Sequence, residues 1–153
     1  SNNCGIVLTM KVLVLNGPNL NLLGRREPDI YGLASIADLE KALSGEAKSL
    51  GLDVSFRQTN SESELIDWIQ EAFENKTPVV LNPAAFTHYS YALRDACSAL
   101  TSAGIPLIEV HISNPHAREE FRQTSVISAV ATGVIAGFGH ASYLLALRAL
   151  SNR

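Results

Sequence analysis

Val12-Leu13-Val14-Leu15 runs directly into Asn16-Gly-Pro-Asn-Leu-Asn-Leu-Leu-Gly-Arg-Arg-Glu-Pro-Asp-Ile-Tyr31, and the contrast between the two decides the fold. The first is a short continuous apolar run ending in a turn signal, which reads as a strand buried on both faces. The second is loop, because the next helix cap is Ser35. Strand-to-helix connections in α/β chains take a handful of residues, and one this long is usually functional or disordered. Disorder is disfavoured here, since Leu20, Leu22, Leu23, Ile30 and Tyr31 all need cover from water. We read it as a ligand loop that closes over a site.

The 153 residues, 46% of them hydrophobic, fit one domain with a proper core, set at residues 10–153. Met10, directly before the strand, reads as the natural start. Ser1 to Thr9 lack a basic segment and a cleavage site, so they read as an extension or an expression remnant rather than a signal peptide. A net charge of −3 argues against a nucleic-acid binder held by phosphate contacts. No apolar run reaches the length of a membrane span. Cys4 and Cys97 are the two cysteines, too few for a disulfide framework, and a reducing cytoplasm is the simplest compartment.

Strands and helices alternate to the end of the chain. Ser35-Ile-Ala-Asp38 opens a helix with Ile36, Leu39, Ala42, Leu43 and Ala47 on one side, closed near Gly51. Leu52 to Arg57 follows as a strand. Ser61-Glu-Ser-Glu64 has capping-box spacing before Leu65, Ile66, Trp68, Ile69, Ala72 and Phe73. Pro78–Leu81 and Ile105–His111 read as strands around a helix from Tyr89 to Leu100. A short helix at Ala117–Arg122, a strand at Gly133–Gly137 and a helix at Ala141–Leu150 complete the chain.

This alternation implies an α/β chain whose five-stranded parallel sheet is covered on both faces, a three-layer sandwich. Right-handed crossovers favour the flavodoxin-like order 2-1-3-4-5, with ligands beyond the carboxyl ends of strands one and three. Polar residues collect at those strand ends. Strand one runs into Asn16-Gly-Pro-Asn19, strand three into Asn82 with Thr87-His88 beyond, and strand four into Glu109-Val-His111-Ile-Ser113-Asn114.

Several chemistries are excluded at that crevice. The loop after strand one lacks the Ser and Thr of a flavin-phosphate loop, and Asn replaces the acidic residues of a phosphorylated receiver. There is no GxGxxG, P-loop or GxSxG motif. His88, His111, His116 and His140 lack metal-ligand spacing. Lys11, Lys41, Lys48 and Lys76 all fall away from the strand ends, so no imine-forming lysine is at hand. An acid–base site built from Tyr, Arg, His and Asn remains.

Each of these residues also has a structural reading. A loop tyrosine usually packs, but Tyr31 follows Arg25 and Arg26 in the same loop. A phenol titrates near ~10 and serves as a base only where cations favour the phenolate. Lowering that value by about two units takes roughly 2.7 kcal/mol, within reach of one or two desolvated guanidinium groups. His111 is either a structural imidazole or an acid, with Glu109 two residues back on the same side of the strand to orient it. Asn19 and Asn82 form turns or hold a water or substrate hydroxyl. Asp95, two turns into its helix, reads as a salt-bridge or interface residue, and Cys97 as core beside Leu93 and Leu100. Arg118 and Arg122, one turn apart, either make a solvated face or meet an anionic ligand or subunit.

Asn16-Gly-Pro-Asn-Leu-Asn-Leu-Leu-Gly-Arg-Arg-Glu-Pro with Tyr31, Leu81-Asn-Pro-Ala-Ala-Phe-Thr-His88, Ala92-Leu-Arg-Asp95, and Glu109-Val-His-Ile-Ser-Asn114 through Arg118-Glu-Glu-Phe-Arg122 together resemble the type II 3-dehydroquinate dehydratases. The resemblance runs from Met10 to about Leu150. It departs at Ser142, where the family often has Gly, a change expected to matter only for packing. The resemblance implies a cofactor-free hydro-lyase that eliminates water in trans fashion from 3-dehydroquinate, giving 3-dehydroshikimate in the shikimate or quinate pathway. It implies Tyr31 as the base, Arg26 as the lid residue that stabilises the tyrosinate, and Asn19 as holder of a water on the enolate. His111 would be the acid, with Asn82 helping to orient it. Substrate hydroxyls and carboxylate would fall to His88, Ile112, Ser113 and Arg122. Asp95 would reach a neighbouring subunit's site in a dodecamer built from trimers.

Overall fold

A computed structural model describes residues 9–32 and 34–153; of the extension read at residues 1–9, residues 1–8, with Cys4, lie outside them. The elements are β1 (Met10–Asn16), α1 (Pro28–Tyr31), α2 (Ile36–Leu50), β2 (Leu52–Gln58), α3 (Glu62–Asn75), β3 (Val79–Asn82), α4 (Tyr91–Ser102), β4 (Leu107–His111), β5 (Gly133–Ala136) and α5 (Ala141–Ser151). All strand pairs are parallel and the order is β2-β1-β3-β4-β5, as the alternation implied. No helix among the described residues is long and apolar enough to cross a membrane.

The period of two along β1 sends its side chains to opposite faces. Val12 and Val14 join Leu39, Leu43, Tyr143 and Leu147 under α2 and α5. Leu13 and Leu15 join Leu65, Ile69, Leu93 and Cys97 under α3 and α4. Each fully buried Leu or Val contributes about 1.5–3 kcal/mol, so the central strand anchors both halves of the core. The Cys97 thiol, pushed up to about 12 by burial and by the nearby Glu109, is an inert core group, as read.

Local chemistry sets the element ends, with corrections to the sequence reading. Ser35 and Asp38 form a complete capping box, at 3.1 and 2.9 Å, and Gly51 closes α2 at φ 69°. Ala42, expected on the apolar side of that helix, is exposed. At α3 only half the expected box forms. The Ser61 hydroxyl accepts from the Glu64 N–H at 3.2 Å, but the Ser61 N–H donates to Thr59 Oγ1 at 3.0 Å. Phe73, also placed on the inner face, is 41% exposed. Helix α4 starts at Tyr91 rather than Tyr89, because Ser90 is its cap and Ala84–His88 forms a separate 3-10 turn.

Two further readings change. The helix expected over Ala117–Arg122 is two 3-10 turns, Pro115–Ala117 and Glu120–Gln123, separated by extended backbone at Arg118 (φ −115°, ψ −165°). Ser142 does more than pack. It is fully buried, and its hydroxyl accepts from the Phe138 N–H at 3.1 Å, bracing the turn between β5 and α5.

Register fixes where the sheet opens. Asn16 stands level with Gln58 on one side and Asn82 on the other, so β1 and β3 end together. The Gly17 N–H then donates to the Asn82 carbonyl at 2.8 Å. A Cβ at Gly17 would lie 2.6 Å from the Pro83 carbonyl oxygen, so only glycine permits this approach.

Candidate active site

A cavity of about 230 Å³ opens at the carboxyl ends of β1, β3 and β4. That is below the roughly 300–1,000 Å³ of sites for drug-sized ligands, so it suits one small polar molecule. The loop after β1 forms one wall. Its chain turns at Asn19 (φ 68°), runs through a 3-10 turn at Leu20–Leu22, and enters α1 with Pro28 at the first helical turn. Leu20 and Leu23 bury their side chains beneath it, and Tyr31 packs partly against the same core. The apolar loop residues therefore anchor the wall. Sequence reading saw a loop here but not the turn of helix that presents Tyr31.

Of the expected site residues, Asn19, Arg26, Tyr31, Asn82, His88, His111, Ile112, Ser113 and Arg122 all line this one cavity. Asp95 does not. It lies on α4 in a separate surface groove beside Phe73 and Ala99. Glu109 sits behind His111 with none of its surface exposed.

Two cations flank Tyr31, but not the two adjacent in sequence. The Arg26 and Arg118 guanidinium carbons lie 5.4 and 5.2 Å from the centre of the Tyr31 ring. Arg25 is exposed and outside the cavity wall. Neighbouring residues in a turn diverge, whereas the extended backbone at Arg118 returns its side chain to the end of β4, where it donates to Ser113 Oγ at 3.3 Å. Arg118 thus resolves from an open alternative into a wall of the site. Arg26 also meets Glu27 at 3.2 Å, with both side chains more than a third exposed, a pairing weak enough to give way to a ligand.

His111 projects from the end of β4, and its Nε2 lies 2.5 Å from Glu109 Oε2. A carboxylate only accepts, so Nε2 carries the proton and Nδ1 is the nitrogen left to exchange one. Glu109 also accepts from Ser128 Oγ (2.6 Å), Thr87 Oγ1 (2.9 Å) and Ser125 Oγ (3.1 Å). Burial pushes its carboxyl up, but the His111 contact and the hydroxyl bonds outweigh it, and the group stays below the usual carboxylate range. Ser125 and Ser128 belong to no motif and were not legible in the sequence.

A lowered folded-state value means that Glu109 stabilises the fold above the unfolded carboxyl's titration, near 4.5, and that this is lost as pH falls through the folded value. Glu109→Gln should therefore cost roughly 1–3 kcal/mol at neutral pH, by mismatching buried donors. The gap from wild type should narrow under acid, read as unfolding midpoints at pH 7 and pH 3. A gap that stays constant would refute the account.

The remaining residues hold fixed poses. His88 Nδ1 lies 2.9 Å from the Thr124 carbonyl, which only accepts, so Nδ1 donates and Nε2 is the other ring nitrogen. Arg122 donates from Nε to Glu119 at 3.1 Å and stacks on Phe121 at 4.6 Å. Asn82, 3% exposed, is gripped from behind by the Ala84 N–H and the Tyr143 hydroxyl. Tyr143 read only as part of the last helix, because an inward aromatic on a helix ordinarily signals packing.

Comparison with known proteins points one way. A sequence model of the family described as dehydroquinase class II matches residues 10–151. The 3-dehydroquinate dehydratase of Kineococcus radiotolerans is 58% identical over 144 residues, covering 94% of this chain and 97% of that one. Its counterpart from Sinorhizobium medicae is 53% identical over 141 residues, covering 92% and 93%. The crystal structure of the type II dehydroquinase from Propionibacterium acnes superimposes with a TM-score of 0.91 at 52% identity, covering 95% of this chain and 99% of that one.

Proposed function

The chain belongs to the class II dehydroquinases, and from that premise we propose how its own residues divide the dehydration of 3-dehydroquinate to 3-dehydroshikimate. It is a 3-dehydroquinate dehydratase, a hydro-lyase of the shikimate or quinate pathway. Residues 10–153 act as one catalytic domain. The observation that carries the division of roles is the meeting, in one cavity, of a tyrosine beside two guanidinium groups and a histidine backed by a buried carboxylate.

Tyr31 removes the proton beside the ketone. Arg26 and Arg118 place two positive charges beside its ring, and Arg26, carried on the exposed loop, completes the site when the loop closes over substrate. Negative charge then develops on the ketone oxygen as an enolate, where a water held by Asn19 donates to it. His111 delivers a proton from Nδ1 to the departing hydroxyl, while Glu109 balances the charge on the ring. Base and acid on separate walls suit a trans elimination. Asn82 helps to orient the acid and the substrate. His88, the Ile112–Ser113 backbone, the Ser113 hydroxyl and Arg122 hold the substrate's hydroxyls and carboxylate. Every step is proton transfer or hydrogen bonding by side chains, backbone and one water, and none calls on a cofactor.

Asp95, exposed on α4 and remote from its own cavity, reaches the site of a neighbouring subunit in a dodecamer assembled from trimers. The cytoplasm is the compartment of this reading. Incubation of the purified protein with 3-dehydroquinate, followed by ultraviolet absorbance of the conjugated product, tests it. Binding without an absorbance change would mark a catalytically silent metabolite sensor and overturn it.

A further inference from the structure

Beneath the cavity floor, Asn16, Asn82 and Tyr143 come from three separate elements and are 0%, 3% and 0% exposed. Their hydrogen bonds form one chain. Asn82 Nδ2 donates to the Tyr143 hydroxyl at 2.8 Å, that hydroxyl donates to Asn16 Oδ1 at 2.7 Å, and Asn16 Nδ2 donates to the Arg57 carbonyl at 3.0 Å. The two ends of a carboxamide are ordinarily hard to tell apart. Here backbone groups that can play only one part decide both of them.

The Ala84 N–H can only donate, and it lies 3.0 Å from Asn82 Oδ1. The Arg57 carbonyl can only accept. Flipping Asn82 would set N–H against N–H at Ala84, and flipping Asn16 would set oxygen against oxygen at Arg57. With one proton to give, the Tyr143 hydroxyl must donate toward Asn16 and receive from Asn82. Burial pushes that phenol above the ordinary tyrosine range, so it keeps its proton and the chain keeps its direction.

The consequence falls on the cavity. Asn82 lines it, with Oδ1 held by Ala84 and one Nδ2 proton held by Tyr143. The nitrogen has its second Nδ2 proton left to offer a ligand, and Oδ1, with Ala84 on one lone pair, keeps the other. We propose that Tyr143 is a positioning residue that, together with the Ala84 N–H, holds the Asn82 amide in place, so that its second Nδ2 proton meets an acceptor oxygen on the substrate. Tyr143 touches no substrate and acts only through Asn82. The inference rests on the 3-dehydroquinate reading given above.

Tyr143→Phe keeps the packed ring and removes the hydroxyl. It should lower kcat/KM for 3-dehydroquinate roughly tenfold or more, the scale expected for unpairing a buried polar group. In an Asn82→Ala background the same change should bring no further loss, since both variants act at one point. Losses that multiply, or an unimpaired Tyr143→Phe, would overturn the proposal. A merely structural tyrosine would lower the unfolding temperature in both backgrounds and leave kcat/KM per folded site unchanged. A second measurement needs no folded variant and no turnover. In the unliganded wild-type protein, nuclear magnetic resonance of the Asn82 side-chain amide should show one slowly exchanging proton and one faster. An equivalent pair would overturn the proposal even if the enzyme is fully active. If the wild type fails to dehydrate 3-dehydroquinate while the two protons remain distinct, the functional reading fails and the positioning role of Tyr143 stands.

Discussion

Tyr31→Phe binds 3-dehydroquinate and does not dehydrate it. The substitution removes one oxygen from a ring that keeps its apolar contact with the core and its place beside Arg26 and Arg118. The wall of the cavity is therefore preserved, and binding measured by calorimetry should stay within a few-fold of wild type. Turnover should fall by at least ~10²–10⁴, the range ascribed to a positioned proton acceptor. A phenylalanine variant that still turns over at a substantial fraction of the wild-type rate would exclude Tyr31 as the base. The converse result, normal turnover potential with lost binding, would assign the phenol a purely substrate-holding part.

Arg26→Gln separates electrostatics from shape. Gln retains hydrogen-bonding capacity and most of the length, but not the charge. Arg118 stays beside Tyr31, so the variant asks whether one guanidinium is enough. Removing a preorganised charge beside the reacting group should slow kcat by roughly 10²–10³. Arg26 is 39% exposed and its ion pair with Glu27 lies in solvent, so little change in unfolding temperature is expected. Loss of activity with retained stability is the diagnostic combination. A rate close to wild type would remove Arg26 from the mechanism and leave Arg118 as the cation that serves Tyr31.

The way Arg26 and Arg118 share Tyr31 shows how far a sequence carries such a site. Arg25 and Arg26 are adjacent in the chain and equally plausible on paper, yet the turn that leads into α1 faces only Arg26 toward the ring. In the sequence Arg118 stands out only by its spacing from Arg122. The helix that spacing implied does not form, because Pro115 starts a single 3-10 turn and the backbone then extends. The side chain reaches the site by a route that helical periodicity does not describe. For His111 the inference from Glu109, two residues away on one strand, holds because the pleat itself places them together.

By itself the sequence determined the alternation of strand and helix, the sheet order, the caps at Ser35 and Ser61, the long loop, and the residues at the ends of β1, β3 and β4. These follow from hydrophobic period, turn chemistry and the handedness of crossovers, all of which act between residues near in the chain. Only the tertiary structure decided that Arg118 stands beside Tyr31, that Ser125 and Ser128 saturate Glu109, and that Tyr143 orients Asn82. Tyr143 and Asn16 are 127 positions apart, and Thr87 and Glu109 are 22 apart. A buried polar group must find a partner wherever packing brings one within reach, and no local pattern in the chain records which partner that will be.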